Sequence, residues 1–323
     1  MGHPGVETIS AFLAESGVTT GSVAERRTAM ERMSGSAPPP DGVRIEAVTL
    51  GGCRAERITP DGAATDSMVL YLHGGGYCTG SPGSHRQLAS RIALAAASPV
   101  TLLDYRLAPE HPFPAAVTDA TEAYRELLAL GADPRRTAVA GDSAGGGLTV
   151  ATLLALRSGG DPLPAAAVCL SPWVDLTQSA GSYDALADRD PMVTRAGLDE
   201  MARCYLGPAD PHTELASPLF AADLGGLPPV LIEVGGREVL LDDASGLADR
   251  IRAAGGDVTL TVWPELIHVF QVFPGSVIPE ADDSIAAIGS FLAGLLGVGA
   301  GSPGGRPPGE GVRGAAPRPS GED

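Results

Sequence analysis

Lysine is missing from this chain altogether: all 22 basic residues among its 323 are arginine. That absence removes Schiff-base chemistry, a P-loop lysine and a Ser–Lys dyad. Beside abundant Ala, Gly, Arg and Pro, the missing lysine reads as a coding bias and not as an adaptation. Positive charge is scarce in general, 22 Arg against 39 Asp and Glu, for a net charge of −17. So acidic a chain repels a phosphate backbone, which argues against nucleic acid as a partner. Cysteine is sparse, at Cys53, Cys78, Cys169 and Cys204, with no CxxC pair and no Cys/His cluster at zinc spacing. No metal or cofactor is called for. No apolar run approaches 18 residues, so no membrane span is expected. Met1–Gly5 has neither a basic n-region nor an apolar h-region, so no signal peptide is expected and the default location is the cytoplasm.

What is present is enough for a large core. Hydrophobic residues make up 44% of the chain and the mean hydropathy is +0.10. The length suits roughly two domains, or one α/β domain with an accessory cap. Helical patterns fill residues 1–45 and end at the stiff turn Pro38-Pro39-Pro40-Asp41-Gly42. From there to about 298, short apolar runs alternate with longer helical ones. The runs lie at 68–72, 100–103, 138–140, 166–170, 230–234 and 258–262. Helical patterns occupy Gln87–Ala97, Ala116–Leu130, Leu148–Arg157 and Ala244–Ala254. Uninterrupted apolar strands separated by helices predict a mostly parallel sheet buried on both faces. Residues 45–59 alternate instead, as an antiparallel edge strand would. Residues 299–323 hold 8 Gly and 5 Pro in 25 positions, so a disordered tail is expected there.

The gap between the runs at 166–170 and 230–234 is too long for a bare loop. Met192, Val193, Leu198, Met201, Tyr205 and Leu206 within it indicate inserted helices. An insertion above the C-terminal edge of a parallel sheet is where a lid sits.

Gly141-Asp142-Ser143-Ala144-Gly145 stands between a strand and a helix. G-x-S-x-G in that context is a nucleophile elbow, whose turn exposes the serine hydroxyl at a helix N-terminus. An ordinary Gly-rich turn would share the glycines. His73-Gly74-Gly75-Gly76, directly after the strand at 68–72, makes coincidence improbable. Acyl transfer builds negative charge on a carbonyl oxygen, and fixed N–H donors stabilise it by roughly 3 kcal/mol each. Gly74, Gly75 and Ala144 are the expected donors.

Of the six histidines, His268 follows the last strand, where a general base belongs. His3 lies at a terminus, His73 in the glycine loop, and His85, His111 and His212 read as surface or packing groups. The acid that orients the imidazole should follow the strand at 230–234. Glu238, Asp242 and Asp243 are candidates. Glu238 is nearest the strand end, and the two aspartates suit a helix N-terminus. The order Ser143, Glu238, His268 is that of an α/β-hydrolase.

Together these residues resemble the hormone-sensitive-lipase-like (family IV) carboxylesterases over about residues 20–297. The resemblance rests on HGGG at 73–76, Asp104–Glu110 with Phe113-Pro114-Ala115, GDSAGG at 141–146, Ser171–Leu176 and His268. Most members have Asp in an Asp-Pro-Leu phrase where this chain reads Glu238-Val239-Leu240; the spacing of 30 to His268 favours Glu238. The wording is nearest the monoterpene ε-lactone hydrolase and acetyl-hydrolase subgroup. The resemblance implies an α/β-hydrolase fold with a helical cap from residues 1–45 and about 176–215, joined to a catalytic domain at 46–298. It implies a serine carboxylesterase acting on short- to medium-chain esters, lactones or acetylated small molecules. An N-acetyl amide hydrolase is the alternative. A non-catalytic receptor on this scaffold is disfavoured by the presence of His268. It also implies that Tyr105–Glu110 brace the oxyanion loop. Asp142 either orients that loop or is a solvated carboxylate, and Cys78 is read as packing. The oligomeric state stays open, a homodimer included.

Overall fold

The computed structural model describes residues 3–34, 38–63 and 66–298; the tail expected at 299–323 lies outside them. In chain order the elements are α1 (Pro4–Ser16), α2 (Val23–Ser34), β1 (Val43–Leu50), β2 (Cys53–Pro60), β3 (Met68–Leu72), α3 (Pro82–Ala96), β4 (Val100–Leu103) and α4 (Ala115–Ala129). Then come β5 (Thr137–Asp142), α5 (Ala144–Gly159), β6 (Ala166–Leu170), α6 (Ser182–Ala185), α7 (Arg195–Leu206), β7 (Val230–Gly235), α8 (Leu241–Ala253), β8 (Val258–Trp263) and α9 (Pro279–Leu296).

The strands form one sheet in the order β1-β2-β4-β3-β5-β6-β7-β8. β1 and β2 pair antiparallel with each other, β2 antiparallel with β4, and all remaining pairs are parallel. The six apolar runs are strands, as their patterning predicts. The segment 45–59 is not one edge strand but a hairpin. Gly51 (φ 59°) and Gly52 (φ 76°) supply the two left-handed positions of a tight turn, and the pattern continues in register on both sides.

Alternation along β3 sends side chains to two different cores. Val69 and Tyr71 pack with α3 and α9, through Ile92, Ile288 and Leu292. Leu70 and Leu72 face α4 and α5, through Ala120, Tyr124 and Leu148. A third cluster joins β6, β7 and α8. Each Val or Leu so buried contributes about 1.5–3 kcal/mol. The helical pattern at residues 1–45 folds as α1 and α2. α1 buries Val6, Ile9 and Leu13 against Leu266, Ile267 and Phe270, the segment that carries His268. The long gap after β6 contains α6 and α7. None of the helices among the described residues is long and apolar enough to cross a membrane.

Candidate active site

Ser143 sits between β5 and α5 with φ 54° and ψ −121°, a conformation that L-residues rarely adopt. Neighbouring backbone holds it there. Its N–H donates to Leu170 O (2.8 Å), and its carbonyl accepts from Trp173 N (2.9 Å). Gly145 is required because a Cβ at that position would run into the Leu72 carbonyl. The first N–H groups of α5 have no intrahelical acceptor and lie beside the serine.

Glu238 and His268 meet from adjacent strands. His268 Nδ1 lies 3.0 Å from Glu238 Oε1, with Glu238 fully buried and His268 5% exposed. A carboxylate only accepts, so Nδ1 carries the proton and Nε2 presents its lone pair. The other Glu238 oxygen accepts from Ser171 Oγ and Gly235 N, both at 2.8 Å. Burial opposes charge on the imidazole, but Glu238 outweighs it with help from Asp190 and Asp142, so the His268 pKa is raised. Ser143 and His268 line the same cavity, of about 370 Å³, with Gly75, Gly76, Met192 and Met201. Among the hydrogen bonds of the described residues, none joins the Ser143 hydroxyl to His268.

The profile of the α/β hydrolase fold family matches residues 69–272. An acetyl-hydrolase of Streptomyces hygroscopicus is 47% identical over 283 residues, covering 86% of this chain and 92% of its own. An esterase of Acinetobacter venetianus is 32% identical over 275 residues, 83% and 88% of the two chains. A solved esterase of the bacterial hormone-sensitive lipase family superposes with a TM-score of 0.87 at 48% identity, covering 91% of this chain and 98% of its own. The chain belongs to the hormone-sensitive-lipase-like α/β-hydrolases.

In this hydrolase the glycine loop departs from expectation at one residue. The Gly74 N–H is committed to Asp142 Oδ1 at 3.1 Å, and Gly74 does not line the cavity. Gly75 (φ 116°) and Gly76 (φ 61°) do; Ala144, the third expected donor, does not. Asp142 is not a solvated carboxylate. It is buried, accepts from Tyr71 OH (2.9 Å), and pairs with His85 Nε2 (3.3 Å). Burial pushes its pKa up, but the His85 charge and these bonds outweigh that and lower it. His85 is correspondingly no surface group: it is buried, lines the cavity, and is raised against its own desolvation by Asp142. His73 is pulled down to about 3 by burial and then by neighbouring His85, so it stays neutral. Tyr105 stacks on the His73 ring (4.3 Å between centroids) and donates to its carbonyl at 2.7 Å. That is the bracing expected of the Tyr105–Glu110 segment.

Two further residues of this hydrolase make contacts that the sequence did not announce. Ser171 takes φ 45° and places its hydroxyl between the acid and the histidine loop, accepting from Val269 N at 3.1 Å. Asp243 lies in the first turn of α8, where a dipole role was expected, but it is buried and reaches across to the insertion. It accepts from Val174 N and Asp175 N (both 2.9 Å) and from Tyr183 OH (2.8 Å). Asp242 accepts from Ser182 N at 2.8 Å. Cys78 is buried with its thiol directed at the Met201 carbonyl (3.8 Å), and it is not part of the cavity lining.

Proposed function

We propose that this protein is a serine carboxylesterase in which Ser143 is the nucleophile, His268 the general base and Glu238 the acid that orients it. The observation that carries the reading is the buried His268–Glu238 bond opening on the same cavity as Ser143. In the proposed mechanism Ser143 Oγ attacks the ester carbonyl while His268 Nε2 takes its proton. The Glu238 charge stabilises the imidazolium. The N–H groups of Gly75, Gly76 and Ala144 receive the developing oxyanion. His268 returns the proton to the leaving alcohol, and an acyl-enzyme remains. Water then enters, is deprotonated by His268, and releases the acid.

Residues 1–45 and about 176–215 act as the cap in this reading. Support comes from the cavity walls: Phe12 and Met30 belong to the first segment, Met192, Leu198 and Met201 to the second. The small, largely apolar cavity favours short to medium acyl groups. The acetyl-hydrolase relative favours acetyl esters of small molecules among them. All four cysteines are free thiols, in keeping with a cytoplasmic location. Turnover of p-nitrophenyl esters of increasing chain length tests the reading. Activity should peak at short chains and fall by about 10⁴-fold or more in Ser143→Ala. A Ser143→Ala protein with a tenth of wild-type activity would overturn it.

A further inference from the structure

We propose that Asp190 is a positioning residue of the reaction: from the insertion, its carboxylate fixes the loop of the triad acid and presents a second negative charge to the His268 imidazole. The proposal rests on the esterase reading above. Asp190 lies between α6 and α7 and is 6% exposed. One of its oxygens accepts from the N–H groups of Met192 and Val193, both at 2.9 Å. The other accepts from Val239 N at 3.0 Å. Met192 and Val193 line the substrate cavity, and Val239 directly follows Glu238. One side chain therefore ties a wall of the pocket to the acid of the triad.

Turn capping alone does not explain a carboxylate here. Asn or Ser caps such a turn without the cost of burying a charge. Each of the three bonds is accepted and none donated, so every one of them can be made to a carboxylate. The hydrogen bonds involve no cationic side chain. The charges facing Asp190 are those of His268 and Glu238, and those facing His268 are Glu238, Asp190 and Asp142. Burial, with the Glu238 charge adding to it, leaves the Asp190 carboxyl raised, and the His268 charge offsets only part of that. Before proton transfer the Asp190 and Glu238 charges repel each other beside a neutral His268. When His268 takes the Ser143 proton, both face a cation. The interaction is thus stronger in the transition state than in the ground state, the requirement for a gain in rate. Asp142 contributes less, because its charge is already paired with His85.

The test compares Asp190→Asn, Asp190→Ser and Asp190→Glu with wild type, using p-nitrophenyl acetate between pH 5 and 9 after circular dichroism has established folding. Asn keeps the bonds to Met192 and Val193, and Ser is a second neutral replacement should Asn not fold. A neutral variant should lose roughly tenfold in kcat with little change in KM. The acid limb of kcat/KM should move down by about half a pH unit. Asp190→Glu should restore the limb. A folded neutral variant whose acid limb stays at the wild-type position overturns the proposal, as does a change confined to KM or a folded Glu variant that behaves like Asn. Ser143-dependent turnover of the wild type checks the esterase reading separately. Its loss would remove both; its persistence with an unmoved limb removes only the role of Asp190.

Discussion

Replacing Glu238 by Gln removes one charge and leaves the volume unchanged, and the consequences follow from the three bonds the carboxylate accepts. A Gln side chain has one acceptor oxygen. If that oxygen faces His268, the amide NH₂ is turned on Gly235 N–H and the Ser171 hydroxyl, which sit 2.8 Å from the other position. Ser171 can rotate, but Gly235 N–H is left buried and unpaired, at about 1–3 kcal/mol. If the amide faces His268 instead, Nδ1 must accept and Nε2 carries the proton, so the ring cannot take the proton of Ser143. Either arrangement also leaves the imidazolium without its partner. A kcat loss of about 10²- to 10⁴-fold is expected, or about 3–5 kcal/mol of transition-state stabilisation. The pH profile gives a second reading. His268 has a raised pKa because Glu238 outweighs burial, so its protonated form is favoured in the fold. That stability is present in full below about 6.5 and is lost as the pH rises through the folded value. Turnover needs the neutral ring, so the wild-type acid limb of kcat/KM lies above about 6.5 and should fall in the variant. Stopped-assay kinetics on p-nitrophenyl acetate from pH 5 to 9 measure both. A variant within tenfold of wild type, with an unmoved limb, refutes Glu238 as the acid; a crippled Asp242→Asn beside it would move the role one turn along α8.

Gly75→Ala adds a Cβ at φ 116° against the Thr79 carbonyl, so the loop must shift. Circular dichroism should show a folded protein whose kcat drops roughly 10²-fold, as for loss of one oxyanion donor; a wild-type kcat would speak against that loop. Ser171→Ala strips Glu238 of one donor and leaves Val269 N–H without its acceptor. Urea unfolding should register about 1–3 kcal/mol of lost stability, and an unchanged midpoint would contradict the bridge. Asp243 has its pKa pushed up to about 7 by burial, so the protonated acid is the form the fold prefers. Its contribution to stability is full below about 3.8 and is lost as the pH rises to about 7. Asp243→Asn should therefore gain in Tm relative to wild type across that window, and a pH-independent difference would refute the shift.

Much of this was legible in the sequence because it depends on neighbours along the chain. The apolar runs of β3 to β7 are buried on both faces and could hardly be anything but parallel strands. The elbow and the glycine loop each carry their own local signature. Glu238 could be chosen over Asp242 and Asp243 by its place at a strand end. What escaped notice depends on partners far away in the chain. His85 looks like a loop residue until β5 brings Asp142 to it. The Gly74 N–H looks free until the same carboxylate is seen to occupy it. Asp243 stands at the start of α8, yet its partners Val174, Asp175 and Tyr183 come from the segment after β6. The hairpin at Gly51-Gly52 and α9, with Pro279 at its start and Gly297 at its end, did have local signals. In the hairpin they are masked by the weaker alternation of a solvent-facing edge.

The way α7 lies along the glycine loop bears on how such an enzyme changes its diet. Met201 packs on Gly76, Tyr205 stacks on Tyr77 with ring centroids 3.7 Å apart, and the Cys78 thiol points at the Met201 carbonyl. The helix that shapes one wall of the pocket is therefore also a support for the glycine loop proposed to receive the oxyanion. Substitutions on this wall trade selectivity against turnover, because a new side chain at position 201 disturbs both at once. Val272 and Phe273, after β8, line the cavity from a different part of the chain. A lineage adapting to a new ester, or a laboratory screen imitating one, should find its tolerated changes there first.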